Sequence, residues 1–307
     1  MALILHDGVK SGVEKSKYTK FDHPFQMANV IRSYDGQYLN HDDIEFIAHC
    51  IESHMGQWNT DRKSSTVLLK PVDEYQHFVH LADYLASRKD LTMAFRRAKY
   101  FLPQFAIPKV YCHVSGLNQS VIVGEEFISL SIDNYLGSNY PLYDKIGIYK
   151  YQRPNMRREK VASDYIIAWI SSEFTNNIAD NLLSDMIRHG KILYITSTLM
   201  PETSEHIIMG YSEQQWNWAK ENEANMWNAL IASKDLYSTS MLIKNQYIGD
   251  GPFTKPFTQE SPGRAGTYIG WQIVEDYMNN KMIKDGSELD GLVPVDAELA
   301  NILWLLV

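Results

Sequence analysis

The sequence is poor in cysteine, in net positive charge and in long apolar runs. Cys50 and Cys112 are its only cysteines and stand far apart, which rules against a disulfide framework and against a cysteine-built zinc cluster. Lys and Arg number 29 against 37 Asp and Glu, for a formal charge of -8. That balance argues against a general nucleic-acid or membrane-surface binder, which needs a basic face. No stretch approaches the roughly 20 apolar residues of a membrane helix. The apolar start, Ala2 to Leu5, ends at a charged doublet. It is too short for a signal peptide and has neither a basic start nor a lipidation cysteine. From the sequence as written, the protein is expected to be cytoplasmic and without a membrane span. A His-Glu-x-x-His zinc-protease helix, a phosphate loop and internal repeats are also missing.

At 307 residues and 45% hydrophobic content, the chain can build one large domain or two ordinary ones. Seven of the ten histidines lie at or before residue 80, and aromatic residues with Pro/Gly turns dominate after residue 100. Arg96-Arg97-Ala98-Lys99 reads as a polar seam between these compositions, giving domains of residues 1–92 and 93–307.

The first piece reads as all-α. Asp22-His23-Pro24 suits an N-cap with Pro in the first turn, followed by Phe25, Met27, Ala28 and Ile31 on one face. Asp42 and Asp43 suit a first turn ahead of Ile44, Ile47, Ala48 and Ile51. Pro71 opens a third helix through Phe78, Leu81, Ala82 and Leu85. The second piece reads as α+β and helix-rich. Strands are expected over Ile107–Val114 and Ser120–Ile132, turned by Ser115-Gly116-Leu117-Asn118. Helices are expected over Val161–Phe174, Ile178–His189, Glu213–Ser233 and Gly266–Met278.

Chemistry concentrates in the first piece. His6-Asp7 is an adjacent imidazole and carboxylate, and His23, His54 and Asp83 stand on or beside the expected helices. Hard or borderline divalent metals take this mixture of neutral imidazoles and carboxylates drawn from several helices. Each element also has a plainer reading. His-Asp doublets occur by chance, Asp83 with Arg88 is compatible with an ordinary helix-face ion pair, and His41, His49, His77 and His80 read as surface or structural residues.

Four strings in order, Ala2 to Gly8, Phe21-Asp22-His23-Pro24, Ser53 to Trp58 and His80 to Lys89, closely resemble the HD-domain superfamily of metal-dependent phosphohydrolases over residues 1 to about 90. The resemblance implies His6, Asp7, His23, His54 and Asp83 as metal ligands, with Asp7 and His54 carrying the chemistry. It also implies a divalent metal (Mn, Fe, Mg or Zn) and a nucleotide or other phosphoester substrate. HD domains carry a further ligand histidine on a helix before the doublet. Here the doublet is residues 6 and 7, so that ligand is expected to be missing and turnover to be weak or nil.

In the second piece, Tyr135-Leu136-Gly137, Pro141-Leu142-Tyr143, Pro252-Phe253-Thr254 and Ser261 to Val274 resemble the gliding-motility lipoprotein B family of Bacteroidetes over roughly residues 95 to 280. The resemblance implies a zincin-like scaffold whose metal helix, near Ser163 to Trp169, has lost its histidines. Its members are usually envelope-anchored lipoproteins without catalysis, and a role in binding protein partners is implied. Trp216, Trp218, Met226 and Trp227 read as a core stripe on one long helix, and Glu125, Glu126 and Asp164 read as acids without a paired base. The two resemblances belong to different compartments, which suggests a fusion. The expected function is therefore an HD-type phosphohydrolase segment, weak or inactive, joined to a non-catalytic gliding-associated domain. The alternative is a non-enzymatic interaction protein with a vestigial metal site.

Overall fold

A computed structural model describes residues 1–86, 88–103, 105–118, 120–173 and 180–284. The chain divides into two units, residues 1–88 with 114–117, and residues 89–113 with 118–307.

The first unit is helical. Its elements are α1 (Ala2–Leu5), α2 (His23–Arg32), α3 (His41–Glu52) and α4 (Glu74–Ala86). Pro24 occupies the first turn of α2, where a missing N–H costs nothing. Asp22 precedes it at the cap position but makes no side-chain capping bond. Asn40 caps α3 by accepting a hydrogen bond from the Asp43 N–H at 2.8 Å, satisfying one of the orphan donors of the first turn. The third helix starts at Glu74, three residues after Pro71, because Asp73 provides the cap there. Its carboxylate accepts the Gln76 N–H at 2.9 Å, while the Gln76 side chain reaches back to the Val72 N–H at 2.8 Å.

Period-3.6 apolar faces meet in one core of Met27, Ile31, Ile44, Ile47, Cys50, Ile51 and Val79, with Ala2 of α1 at its edge. Arg32 ties α2 to α3 from outside this core. Its guanidinium donates to Glu45 at 2.9 and 3.0 Å and to Glu52.

The second unit is helix-rich with one small sheet. Helix α5 (Lys89–Phe101) comes first, and it takes in Arg96 to Lys99, so the polar tetrad expected as a seam lies inside a helix. The strands are β1 (Lys109–His113), β2 (Val121–Val123) and β3 (Phe127–Ser131), in the order β1-β3-β2. The expected second strand, Ser120–Ile132, is thus two strands. Gly124 with Glu125 and Glu126 folds it back, and the Gly124 N–H bonds the Phe127 carbonyl at 2.8 Å. β3 returns antiparallel to β2 and pairs in parallel with β1, so β1 lies beside the later strand and not beside the one that follows it in sequence.

Six short and medium elements follow: α6 (Pro141–Lys145), α7 (Val161–Glu173), α8 (Leu182–Leu199), α9 (Glu205–Met209), α10 (Glu213–Glu221) and α11 (Glu223–Ser233). Then come α12 (Met241–Ile248) and α13 (Ala265–Lys284). Phe174 and Ile178, where the sequence placed a helix end and a helix start, lie outside the described residues. The expected long helix over Glu213–Ser233 is two helices broken at Asn222, so its tryptophans do not form one stripe. Trp216 is buried beside Tyr268 and Trp271 of α13.

The tightest packing in this unit is the crossing of α8 and α13. A Cβ on Gly190 would stand 2.2 Å from the Gly270 carbonyl oxygen, and one on Gly270 would stand 1.9 Å from that of Met186. Only residues without a side chain allow two helix backbones to touch in this way. Around the crossing, Trp271, Tyr268, Ile269 and Ile192 are buried. Gly270→Ala is expected to lower stability by about 1–3 kcal/mol, because the clash is with backbone and outweighs alanine's better helix propensity. Chemical denaturation of the full chain measures this, and an unchanged or raised midpoint contradicts the role assigned to the crossing.

Candidate metal centre

The five side chains singled out in the first unit come from four places: the end of α1 (His6, Asp7), the start of α2 (His23), the turn after α3 (His54) and α4 (Asp83). The structure brings them together. Donor atoms of His6, Asp7 and His54 all lie within 4.8 Å of one another, close to the span that two metal–ligand bonds of about 2.0–2.2 Å can bridge. His23 Nε2 stands 3.3 Å from Asp7 Oδ1 and 3.3 Å from His54 Nε2. Asp83 Oδ1 stands 3.0 Å from His6 Nε2.

Local structure fixes which nitrogen each buried imidazole turns inwards. His23 Nδ1 lies 2.7 Å from the Lys20 carbonyl oxygen and His54 Nδ1 lies 2.6 Å from that of Ile51. A carbonyl oxygen only accepts, so both Nδ1 atoms carry the proton and both Nε2 atoms present lone pairs. Both rings are buried, 2% and 1% exposed. Two lone pairs therefore face each other at 3.3 Å, with a carboxylate oxygen of Asp7 beside them. Three acceptors without a proton between them call for a positive charge.

A proton is a poor candidate for that charge. Burial pushes His54 down to about 4, against the Ile51 carbonyl bond and the Asp83 charge, which pull the other way. Burial likewise lowers His23, despite the Lys20 carbonyl bond and Asp7. Burial acts to raise Asp83, but the His6 hydrogen bond and the neighbouring imidazoles hold its carboxyl below the ordinary value. The chemistry of the set, three imidazoles and two carboxylates of which the His23 and His54 Nε2 atoms and Asp7 Oδ1 meet as acceptors, fits a divalent cation.

Several supporting contacts are not visible in the sequence. Lys10 donates to Asp7 Oδ2 at 2.5 Å, the Lys20 and Ile51 carbonyls orient the two imidazoles, and His80 is 3% exposed. Among the other histidines, His41 bonds Asp35 at 2.7 Å on the surface, and His49 lies beside Glu45 and Glu52. A shallow cavity of about 500 Å³ lined by Gly12, Glu14, Lys20, Gln26 and Asn29 holds none of the five donors.

In the second unit, Asp164 has a base after all, one turn earlier on the chain. Lys160, 5% exposed, bonds Asp164 Oδ1 at 2.8 Å and the Ile208 carbonyl at 3.0 Å. Tyr135 donates to Asp164 Oδ2 at 2.7 Å, so both carboxylate oxygens are engaged. Glu126 lies 3.5 Å from Lys109 on the surface.

Among the described residues, no helix is long and apolar enough to cross a membrane. The sequence pattern of the family described as Gliding motility protein GldB matches residues 10–289. The match starts far ahead of residue 95 and takes in most of the first unit, so both units fall within one family pattern. No curated protein matches, and no solved structure matches.

The pKa of His54 gives a pH signature in the metal-free protein. The unfolded chain protonates this residue at 6.5, while burial holds the folded imidazole neutral down to about 4. Below 6.5 the unfolded state therefore binds more protons, and stability is lost as pH falls from 6.5 towards 4, by roughly 2–3 kcal/mol. Urea unfolding between pH 7 and pH 4 measures it, and a His54→Gln variant that loses as much stability over that window as the wild type removes His54 as the cause.

Proposed function

This chain belongs to the gliding motility protein GldB family, and from that premise we propose that it is a gliding-associated protein whose larger unit binds protein partners without catalysis and whose first unit holds a divalent metal ion. The metal part rests on the facing Nε2 lone pairs of His23 and His54 with Asp7 Oδ1 beside them. The non-catalytic part is supported by Asp164, whose two oxygens are taken by Lys160 and Tyr135, in the segment where the zincin-like expectation places a lost metal helix.

His6, Asp7 and His54 would hold the ion, with His23 reaching it from α2 and Asp83 orienting or joining through His6. A majority of imidazole donors favours Fe, Mn or Zn over Mg, which prefers an all-oxygen shell. Elemental analysis of the purified full chain is expected to find near-stoichiometric transition metal that an Asp7→Ala/Asp83→Ala variant lacks. Equal metal in both, or none in the wild type, contradicts the site.

One observation favours a second reading, an HD-type phosphohydrolase acting on nucleotides or other phosphoesters. The cluster holds two carboxylates against a divalent ion, and Lys10 at 2.5 Å from Asp7 leaves the filled cluster with a net positive charge that suits an anionic phosphoester. A bound divalent ion supplies a Lewis acid that polarises a phosphoryl oxygen and acidifies water. In that reading Asp7 and His54 fix the ion, and Asp83 holds the His6 ring. Metal-loaded protein is then expected to hydrolyse a phosphodiester or nucleotide weakly, with the rate lost in Asp7→Ala. No turnover above the Asp7→Ala background sinks this reading and leaves the first one standing.

A further inference from the structure

His80 lies three residues before Asp83 on α4, so the two share one side of the helix. His80 is 3% exposed, a position where a leucine would pack without burying a polar group. Its Nδ1 donates to the carbonyl oxygen of His54 at 2.7 Å. The turn after α3 is shaped to receive the ring. Gly56 has φ +52, and a Cβ there would fall 2.3 Å from the His80 ring. Trp58 covers the ring edge-on, with centroids 5.9 Å apart.

His54 follows Ser53, the C-cap of α3, and its own N–H reaches the helix only through a 3.3 Å bond to the Ile51 carbonyl. Two side-chain bonds add to that hold. The Ile51 carbonyl fixes the imidazole at 2.6 Å, and His80 fixes the backbone at 2.7 Å. The second bond links α4, which carries Asp83, to the turn that carries His54.

Resting on the metal-binding reading above, we propose that His80 is the positioning residue of the donor cluster: by holding the His54 carbonyl it brings the His54 Nε2 and the Asp83 carboxylate into register, and so sets the affinity for a divalent cation. Residues that orient metal ligands in this way typically contribute about 10–100-fold in affinity. The role needs a donor at the Nδ1 position and makes no use of contact between His80 and the ion.

The test is a titration of the metal-free full-length chain with Co²⁺, followed by calorimetry and by the visible absorption of the bound ion, alongside thermal unfolding without metal. His80→Leu is expected to weaken Co²⁺ binding by about 10–100-fold. His80→Asn, whose side-chain N–H can reach the same carbonyl, is expected to stay within about threefold of wild type, the rescue expected if holding the His54 carbonyl is what His80 does. Should His80→Leu fail to fold, His80→Gln takes its place, since its amide sits one carbon further out and is expected to lose the affinity that Asn keeps. Wild-type affinity in His80→Leu overturns the inference. So does an equal loss in Leu and Asn variants that tracks their loss of thermal stability, which marks His80 as packing alone. A wild-type chain that binds no Co²⁺ overturns the metal reading and this inference together. A wild type that binds Co²⁺ beside a His80→Leu that binds it equally well overturns this inference only.

Discussion

Hydrogen bonds from His23 Nδ1 to the Lys20 carbonyl and from His54 Nδ1 to the Ile51 carbonyl dictate how the first unit is built. Each bond spans three residues, so local chain geometry is enough to set it. Once both protons are committed outwards, the inward nitrogens can only accept. Helix packing then has to bring two unprotonated nitrogens and a carboxylate to about van der Waals distance in a buried space. Apolar burial of Ile44, Ile47, Ile51 and Met27 supplies the driving force for that approach, and the acceptors oppose it unless a cation is present. A ligand that binds only the folded form adds to stability in proportion to the logarithm of its excess over Kd. On the metal-binding reading, affinity and the stability of this unit are therefore two sides of one equilibrium.

Much of this cluster was legible in the residues. His6, Asp7, His23, His54 and Asp83 could be picked out because imidazoles mixed with carboxylates are the donors divalent metals take, and because the strings around them resemble the HD-domain pattern. The contacts that orient them were not legible, because they run through backbone carbonyls, which every residue has and no sequence pattern marks. His80 read as a surface or structural residue for the same reason: the bond that ties it to the cluster is to the His54 peptide. Its spacing of three from Asp83 was the available signal.

In the fold, helices with strong caps and regular apolar spacing were readable, as for α3 with Asn40, Asp43 and its Ile44-Ile47-Ile51 face. The errors fall where local sequence is ambiguous. Gly124-Glu125-Glu126 sits inside a β-branched run and turns it, while Asn222 ends one helix and begins the next with no proline or glycine to announce it. The parallel pairing of β1 with β3 depends on contacts distant in sequence and has no local signature. Arg96 to Lys99 looked like a seam because it is polar, yet such a run is equally the solvated face of a helix.

The two units solve their polar burdens differently. In the second, two buried lysines meet their opposites: Lys160 has Asp164, and Lys244, 3% exposed, has Asp180 and Asp185. Such pairs are closed, and a removed partner leaves an uncompensated charge. The first unit leaves acceptors facing acceptors. A satisfied network needs nothing further to be stable. Two acceptor nitrogens facing each other beside a carboxylate do need something further, and that need is what the proposed cation answers.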